Sequence, residues 1–245
     1  KYIITLNNDT KVDKNWLIEL VKAIESDKSL GAVGSKILFM DGKIESAGHQ
    51  ELPDFYWLDK VVDNNQDSLP DEINSLCGCA VLYRRSALKD AGDFDEDFHM
   101  YMEDVDMSIR MKLKSWKLSY APKSLVYHLH HGTAKDDAAL FYTERNRLLL
   151  VAKYYPEKLC GALLGRGYFI AQRGIEAQGS FYKILADLVA KLIKHHKPEV
   201  VRKALEELFA ELKKITSYEN SLLTEKIAGF LGLAESQEPS LKAKD

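Results

Sequence analysis

Cysteine is scarce in this chain, with three in 245 residues, Cys77, Cys79 and Cys160. That is too few for a disulfide framework, and the Cys77-Gly78-Cys79 spacing does not suit a Cys-x-x-Cys zinc knuckle. A reducing, cytoplasmic setting is expected. Excess positive charge is also missing: 34 Lys and Arg stand against 37 Asp and Glu, a net charge of -3. This excludes a nucleic-acid binder that relies on a bulk positive field. No uninterrupted apolar stretch is long enough to span a bilayer, and the N-terminus has no charged-then-apolar leader pattern. A leading loop is absent too, since Lys1-Tyr2-Ile3-Ile4-Thr5-Leu6 reads as a buried strand from the first residue, as expected of a fragment.

What is present is apolar material for a large domain, at 46% hydrophobic residues. After the first strand, Asn7-Asn8-Asp9-Thr10 is a turn, and Asp13 can cap a helix carrying Trp16, Leu17, Leu20, Val21 and Ile24. Gly31–Leu38 reads as a short second strand, so the elements alternate as in layered α/β folds with an open mixed sheet. From His49 to Ser75 no periodicity persists, and a long loop is expected. Leu76–Tyr83 has strand character, Ser86–Ala91 is a short helix ended by Gly92, and Phe94-Asp95-Glu96-Asp97-Phe98 is an acidic-aromatic loop. Met102–Trp116 is helical, with a stripe of Val105, Ile109, Leu113 and Trp116. Leu118–His128 is a strand interrupted by Pro122, and Phe141–Tyr155 a helix stopped by Pro156. Residues 1–156 are expected to form the α/β domain and 157–233 a helical extension. There Ile184, Leu188 and Val189 form one stripe, and Val201, Leu205, Leu208, Leu212 and Ile215 a heptad-like one opened by Pro198. Residues 234–245 are expected to be a disordered tail.

Four groups carry chemistry. Asp9 lies where open α/β sheets place ligands, at the carboxyl end of a strand, and could hold a divalent cation; Asn-Asn-Asp is equally an ordinary turn. Glu103, Asp104 and Asp106 crowd a helix start, where the dipole stabilises acids by roughly 0.3–1 kcal/mol each. Asp106 is accounted for by an i,i+4 surface pair with Arg110. Glu103 and Asp104 remain, two adjacent acids whose repulsion can lift one pKa into the range of a general base. His128 and His130, on one strand face, suit a metal or phosphate, or are surface histidines at a strand end. Arg145-Asn146-Arg147 is a phosphate or carboxylate clamp or a solvated face. Cys77 and Cys79 read as packed strand residues, while Gly78 would let a ligand approach the backbone.

Taken in order, these pieces resemble the inverting GT-A glycosyltransferases of family 2, which include bacterial rhamnosyltransferases. The likeness runs from Tyr2 to Tyr155. Leu6-Asn7-Asn8-Asp9-Thr10 is similar to the family's Asp-x-Asp-type metal motif with only its last acid kept. Gly92-Asp93-Phe94-Asp95-Glu96-Asp97-Phe98-His99-Met100-Tyr101-Met102-Glu103-Asp104-Val105-Asp106 resembles its acceptor-side segment, Asp104 falling on the catalytic base. Val126-Tyr127-His128 with Gly132-Thr133 resembles the strand end whose histidine assists the metal, and Arg145-Asn146-Arg147 the start of the next helix. Two positions depart from the pattern: Asp93 stands where a second glycine is common, and Cys79 where a small residue such as Ala is usual.

The resemblance implies a GT-A-like mixed sheet with flanking helices, lacking its N-terminal nucleotide-binding portion. It implies transfer of a sugar, with inversion, from a nucleotide-diphosphate sugar to a saccharide or lipid-linked acceptor in cell-surface polysaccharide synthesis. Mg²⁺ or Mn²⁺ is expected on Asp9 and His128. Asp104 and Glu103 are the expected catalytic pair, and Asn8, Gly78, Cys79, Met102 and Arg145 the expected substrate contacts. The C-terminal helices are expected to pack on the domain or to lie on the inner membrane face. Two rival readings are a metal-dependent hydrolase built on Asp9, Asp104 and His128-His130-His131, and a non-catalytic interaction fragment.

Overall fold

The structure, a computed structural model, describes residues 1–52, 55–61, 73–129, 136–171, 183–188, 190–191, 198–215 and 228–229. They fall in two compact units, Lys1–Arg147 and Leu148–Asp245.

The first unit is built on strands β1 (Tyr2–Leu6), β2 (Thr10–Val12), β3 (Leu30–Phe39), β4 (Ile44–Ser46), β7 (Ala80–Arg84) and β8 (Lys117–His128). They form one sheet in the order β1-β7-β3-β8-β2, with β4 added on β3. β7 is antiparallel to both β1 and β3, and β3 is parallel to β8, so β1, β3 and β8 all run the same way. The helices are α1 (Trp16–Ser26), α2 (Arg85–Ala91) and α3 (Glu103–Leu113), with α4 (Asp136–Tyr154) following the sheet.

β3 is buried from Leu30 to Leu38 because both of its faces are covered. Successive side chains alternate between the faces. Val33 and Ile37 meet Trp16, Leu20 and Ile24 of α1, while Ala32 meets Met107 and Met111 of α3 and Ala87 of α2. The expected break at Pro122 is a bulge inside a continuous strand. Ser35 pairs with Ala121 and the next residue, Lys36, with Leu125, so Pro122, Lys123 and Ser124 are looped out. A proline there removes no ladder bond, and the loop is put to use. Trp16 Nε1 donates to Ser35 Oγ (2.9 Å), Ser35 and Ser124 hydroxyls meet at 3.1 Å, and Ser124 Oγ donates to Trp16 O (3.0 Å).

Two expectations need correction. Within His49–Ser75, β5 (His49–Glu51) and β6 (Trp57–Asp59) pair antiparallel, His49 opposite Asp59. Strands of three residues are too short to leave a period-two signal. On α3 the buried residues are Val105, Asp106, Met107, Ser108 and Met111, while Leu113 is 70% exposed and Trp116 lies beyond the helix. The buried face is set as much by polar anchors as by the apolar stripe. Ser108 Oγ accepts from the Leu76 N–H (3.2 Å), and Asp106, expected at the surface, pairs with Arg110 at 2.8 Å in the interior.

In the second unit a 3-10 turn (Pro156–Lys158) is followed by α5 (Leu159–Ala171) and α6 (Pro198–Ile215). Pro198 opens α6, where its missing N–H has no intrahelical partner to lose. Val201, Ala204, Leu205 and Leu208 bury one face of it. Among the described residues no helix is long and apolar enough to cross a membrane. Val189 and the tail from residue 234 lie outside the described residues.

Candidate functional site

The three parallel strands end on one edge of the sheet, as in open α/β sheets that bind ligands there. A cleft of about 470 Å³ opens at that edge, between the turn after β1, the end of β8, the β5–β6 hairpin and the start of α3.

One wall carries Asp9 and His128. β2 pairs with β8 so that Thr10 faces His128, and the Leu129 N–H donates to Asp9 O (2.9 Å). Asp9 Oδ1 then lies 3.3 Å from His128 Nε2. The other ring nitrogen, Nδ1, is 2.9 and 3.1 Å from the two oxygens of Glu45 on β4. With Nδ1–H donated to Glu45, the Nε2 lone pair is turned toward Asp9. A nitrogen and a carboxylate oxygen on one point, with a carboxylate orienting the histidine from behind, suit a divalent cation. Glu45 escaped sequence reasoning, because a lone Glu in a three-residue strand carries no motif. His130, His131, Gly132 and Thr133 lie outside the described residues.

The facing wall carries Asp104. Its Oδ2 accepts from the Gly78 N–H (2.7 Å) and its Oδ1 from its neighbour's, Val105 (2.8 Å). The glycine eases this approach, since a Cβ at residue 78 would stand 3.1 Å from both Cβ and Oδ2 of Asp104 and would press the carboxylate back by a few tenths of an ångström. Glu103 is largely buried, one of its oxygens has no hydrogen-bond partner, and its pKa is pushed up to about 7, first by burial and then by the charge of Asp104. The folded state therefore holds a proton on Glu103 that the unfolded chain releases near 4.5. Stability contributed by this group is full below about pH 4.5 and is lost as pH rises toward 7. Glu103→Gln is expected to lessen the fall in melting temperature between about pH 5 and pH 8, read by thermal melts across that range.

The remaining expected contacts divide. Asn8, Gly78, Cys79 and Met102 line the cleft. Met102 precedes α3 in the left-handed region (φ 67°). Both thiols beside Gly78 are held protonated, Cys77 well above its ordinary value and Cys79 at about 12, mainly by burial, so neither is a ready nucleophile. Arg145 is the correction. It is 1% exposed and lines no part of the cleft; its guanidinium donates to the carbonyls of Asp97 and of Phe98 (3.1 Å). Asn146 is fully buried against the same loop, and Arg147 stacks over Tyr56, 4.5 Å from its ring centre, beside Glu144. Three polar residues in a row read as a clamp for a ligand at a helix start, but α4 begins at Asp136, so they lie in its middle, and what they grip is the protein itself.

The cleft thus sets the Asp9–His128 donor pair on one wall against a restrained carboxylate on the other, at the carboxyl edge of a mixed α/β sheet. Residues 2–150 match the model of glycosyl transferase family group 2, and the chain belongs to that family. It is 27% identical over 154 residues to an N-acetylglucosaminyl-diphospho-decaprenol L-rhamnosyltransferase of Mycobacterium tuberculosis, covering 56% of this chain and 50% of that protein. It is also 27% identical over 129 residues to a poly-beta-1,6-N-acetyl-D-glucosamine synthase of Staphylococcus epidermidis, covering 53% of this chain and 30% of that one. The chain thus spans half or less of the length of these relatives. A crystal structure of GalNAc-T7 with UDP, GalNAc and Mn²⁺ aligns with a TM-score of 0.48 at 14% identity, over 88% of this chain and 41% of that one. The family membership does not favour the hydrolase reading.

Proposed function

We propose that the protein transfers a sugar from a nucleotide-diphosphate sugar to an acceptor hydroxyl, with inversion, in the synthesis of a cell-surface polysaccharide. The observation that carries this reading is the pairing, across one cleft, of the Asp9–His128 donor set with an Asp104 carboxylate restrained by two backbone N–H groups. Asp9 and His128 would hold the cation, Mg²⁺ or Mn²⁺, whose positive charge would stabilise the diphosphate as it leaves. Asp104 takes the proton of the acceptor hydroxyl as its oxygen bonds to the anomeric carbon. The bond from that carbon to the diphosphate oxygen breaks on the opposite face, and the configuration inverts. Glu103, its pKa raised to about 7, brings less negative charge beside the incoming hydroxyl than an ordinary carboxylate would. Asn8 and Met102 flank the sugar, and the small Gly78-Cys79 step lets it approach the backbone.

The relatives' names support an acceptor that is a growing saccharide or a lipid-linked one, and with it a cytoplasmic site on the inner face of a membrane. A chain of near-neutral charge gives no reason to expect a nucleic-acid partner. The test is titration calorimetry of the chain with uridine and thymidine diphosphates, with and without Mn²⁺. Diphosphate binding is expected to strengthen with Mn²⁺ and to lose about tenfold or more of that gain in Asp9→Asn. Affinity equal with and without Mn²⁺ would count against the reading.

A further inference from the structure

A second cluster of metal-ligating side chains lies in the same cleft, away from Asp9 and His128. His49, Asp59 and Cys77 each bring one ligand atom within 4.8 Å of the others. The hairpin pairing creates half of it, since His49 and Asp59 are opposite each other on β5 and β6 and His49 Nε2 stands 3.6 Å from Asp59 Oδ1. That separation is close to the edge of a tetrahedron with metal bonds of about 2.0–2.2 Å. The histidine is also oriented from behind. Its Nδ1 is 3.2 Å from Ser75 Oγ, and that hydroxyl in turn donates to Ser108 Oγ (3.2 Å). With the Ser75 proton directed to Ser108 Oγ, an Nδ1–H of His49 would find its acceptor in Ser75 Oγ, and Nε2 would present a lone pair. This lone pair faces carboxylate oxygens of Asp59 and Asp104, the latter at 4.0 Å. Three acceptors turned on one point call for a cation.

We propose that His49, Asp59 and Cys77 form a second metal site, selective for a borderline-soft divalent cation of the Zn²⁺ class, and that a cation there restrains Asp104. The Cys77 thiol, protonated without a metal, would release its proton to solvent as the cation binds; the resulting thiolate and an imidazole favour such an ion over Mg²⁺, whereas the Asp9–His128 pair, one oxygen and one nitrogen, has no sulfur ligand. Three protein ligands leave the fourth position to water or to Asp104 Oδ2, which is already drawn to the Gly78 N–H. A cation at that point competes with the acceptor proton for the Asp104 carboxylate. This second half rests on the transferase reading; the binding half does not.

The binding test is Co²⁺ titration of the full chain, followed by absorption. Expected are the visible bands of four-coordinate Co²⁺ and a thiolate-to-metal band in the near ultraviolet, displaced by Zn²⁺ and untouched by Mg²⁺. Cys77→Ser should abolish the thiolate band and His49→Gln should weaken affinity by about tenfold or more, while Cys79→Ser, Cys160→Ser and Asp9→Asn keep it. Absence of the thiolate band in the unaltered chain, or its survival in Cys77→Ser, overturns the site whatever the variants' folding. With a donor and acceptor in hand, Zn²⁺ should inhibit transfer at saturating Mg²⁺. Full transfer with the cobalt site filled overturns the restraint on Asp104, and lack of any transfer without zinc speaks against the transferase reading alone.

Discussion

Asp104→Asn is expected to lower the rate of sugar transfer by about 10²–10⁴-fold, the range for loss of a positioned general base. Donor affinity should change little, because Asp9 and His128 are on the other wall of the cleft. The side chain is nearly isosteric, but its hydrogen bonding is not. Two oxygens of Asp104 accept two N–H groups, Gly78 at 2.7 Å and Val105 at 2.8 Å. An amide has one oxygen, so one of these donors must face an NH₂ group, at about 1–3 kcal/mol. A modest loss of stability should therefore accompany the large loss of turnover. The two are separated by measuring kcat and the donor KM at a temperature well below the unfolding midpoint. Unchanged kcat would move proton abstraction away from Asp104. Glu103, whose pKa of about 7 lies in the range of a general base, would be the next residue to test.

The order of elements in the first unit was legible because each left a periodic trace. Trp16, Leu20 and Ile24 are spaced for one helix face, and Gly31–Leu38 reads as a strand, its Ser35 and Lys36 buried with its apolar residues. The two walls of the cleft were legible for a different reason: Asp9 and Glu103-Asp104 are acids at element ends, where burial alone does not explain an acid. Partners joined across the sheet left no such trace. Glu45 is brought to His128 because β4 and β8 flank β3, and His49 is brought to Asp59 by a hairpin too short to show alternation. Arg145 misled because the charge that attracts a phosphate also attracts carbonyl oxygens, and the sequence does not say which of them arrives.

That loop is the basis of the second large effect. Asn146→Ala is expected to destabilise the first unit by about 2–4 kcal/mol and to impair transfer with it. The chain entering α3 holds three non-glycine residues in the left-handed region, His99 (φ 61°), Tyr101 (φ 63°) and Met102 (φ 67°), each disfavoured by about 1–2 kcal/mol. The Nδ2 of Asn146 lies 2.8 Å from Phe98 O, 2.7 Å from Met100 O and 2.6 Å from Tyr101 O, so one buried amide spans the strained stretch. Alanine leaves these carbonyls without that donor and lets the backbone relax toward right-handed values. Glu103 and Asp104 begin the helix directly after Met102, so relaxation of the loop turns the first helical residues away from Gly78. Chemical denaturation reads the stability, and amide exchange at residues 98–102 should quicken before global unfolding. A variant with normal exchange there would shift the restraint to Arg145 and to the buried Phe98 ring, the other ties on the same turn.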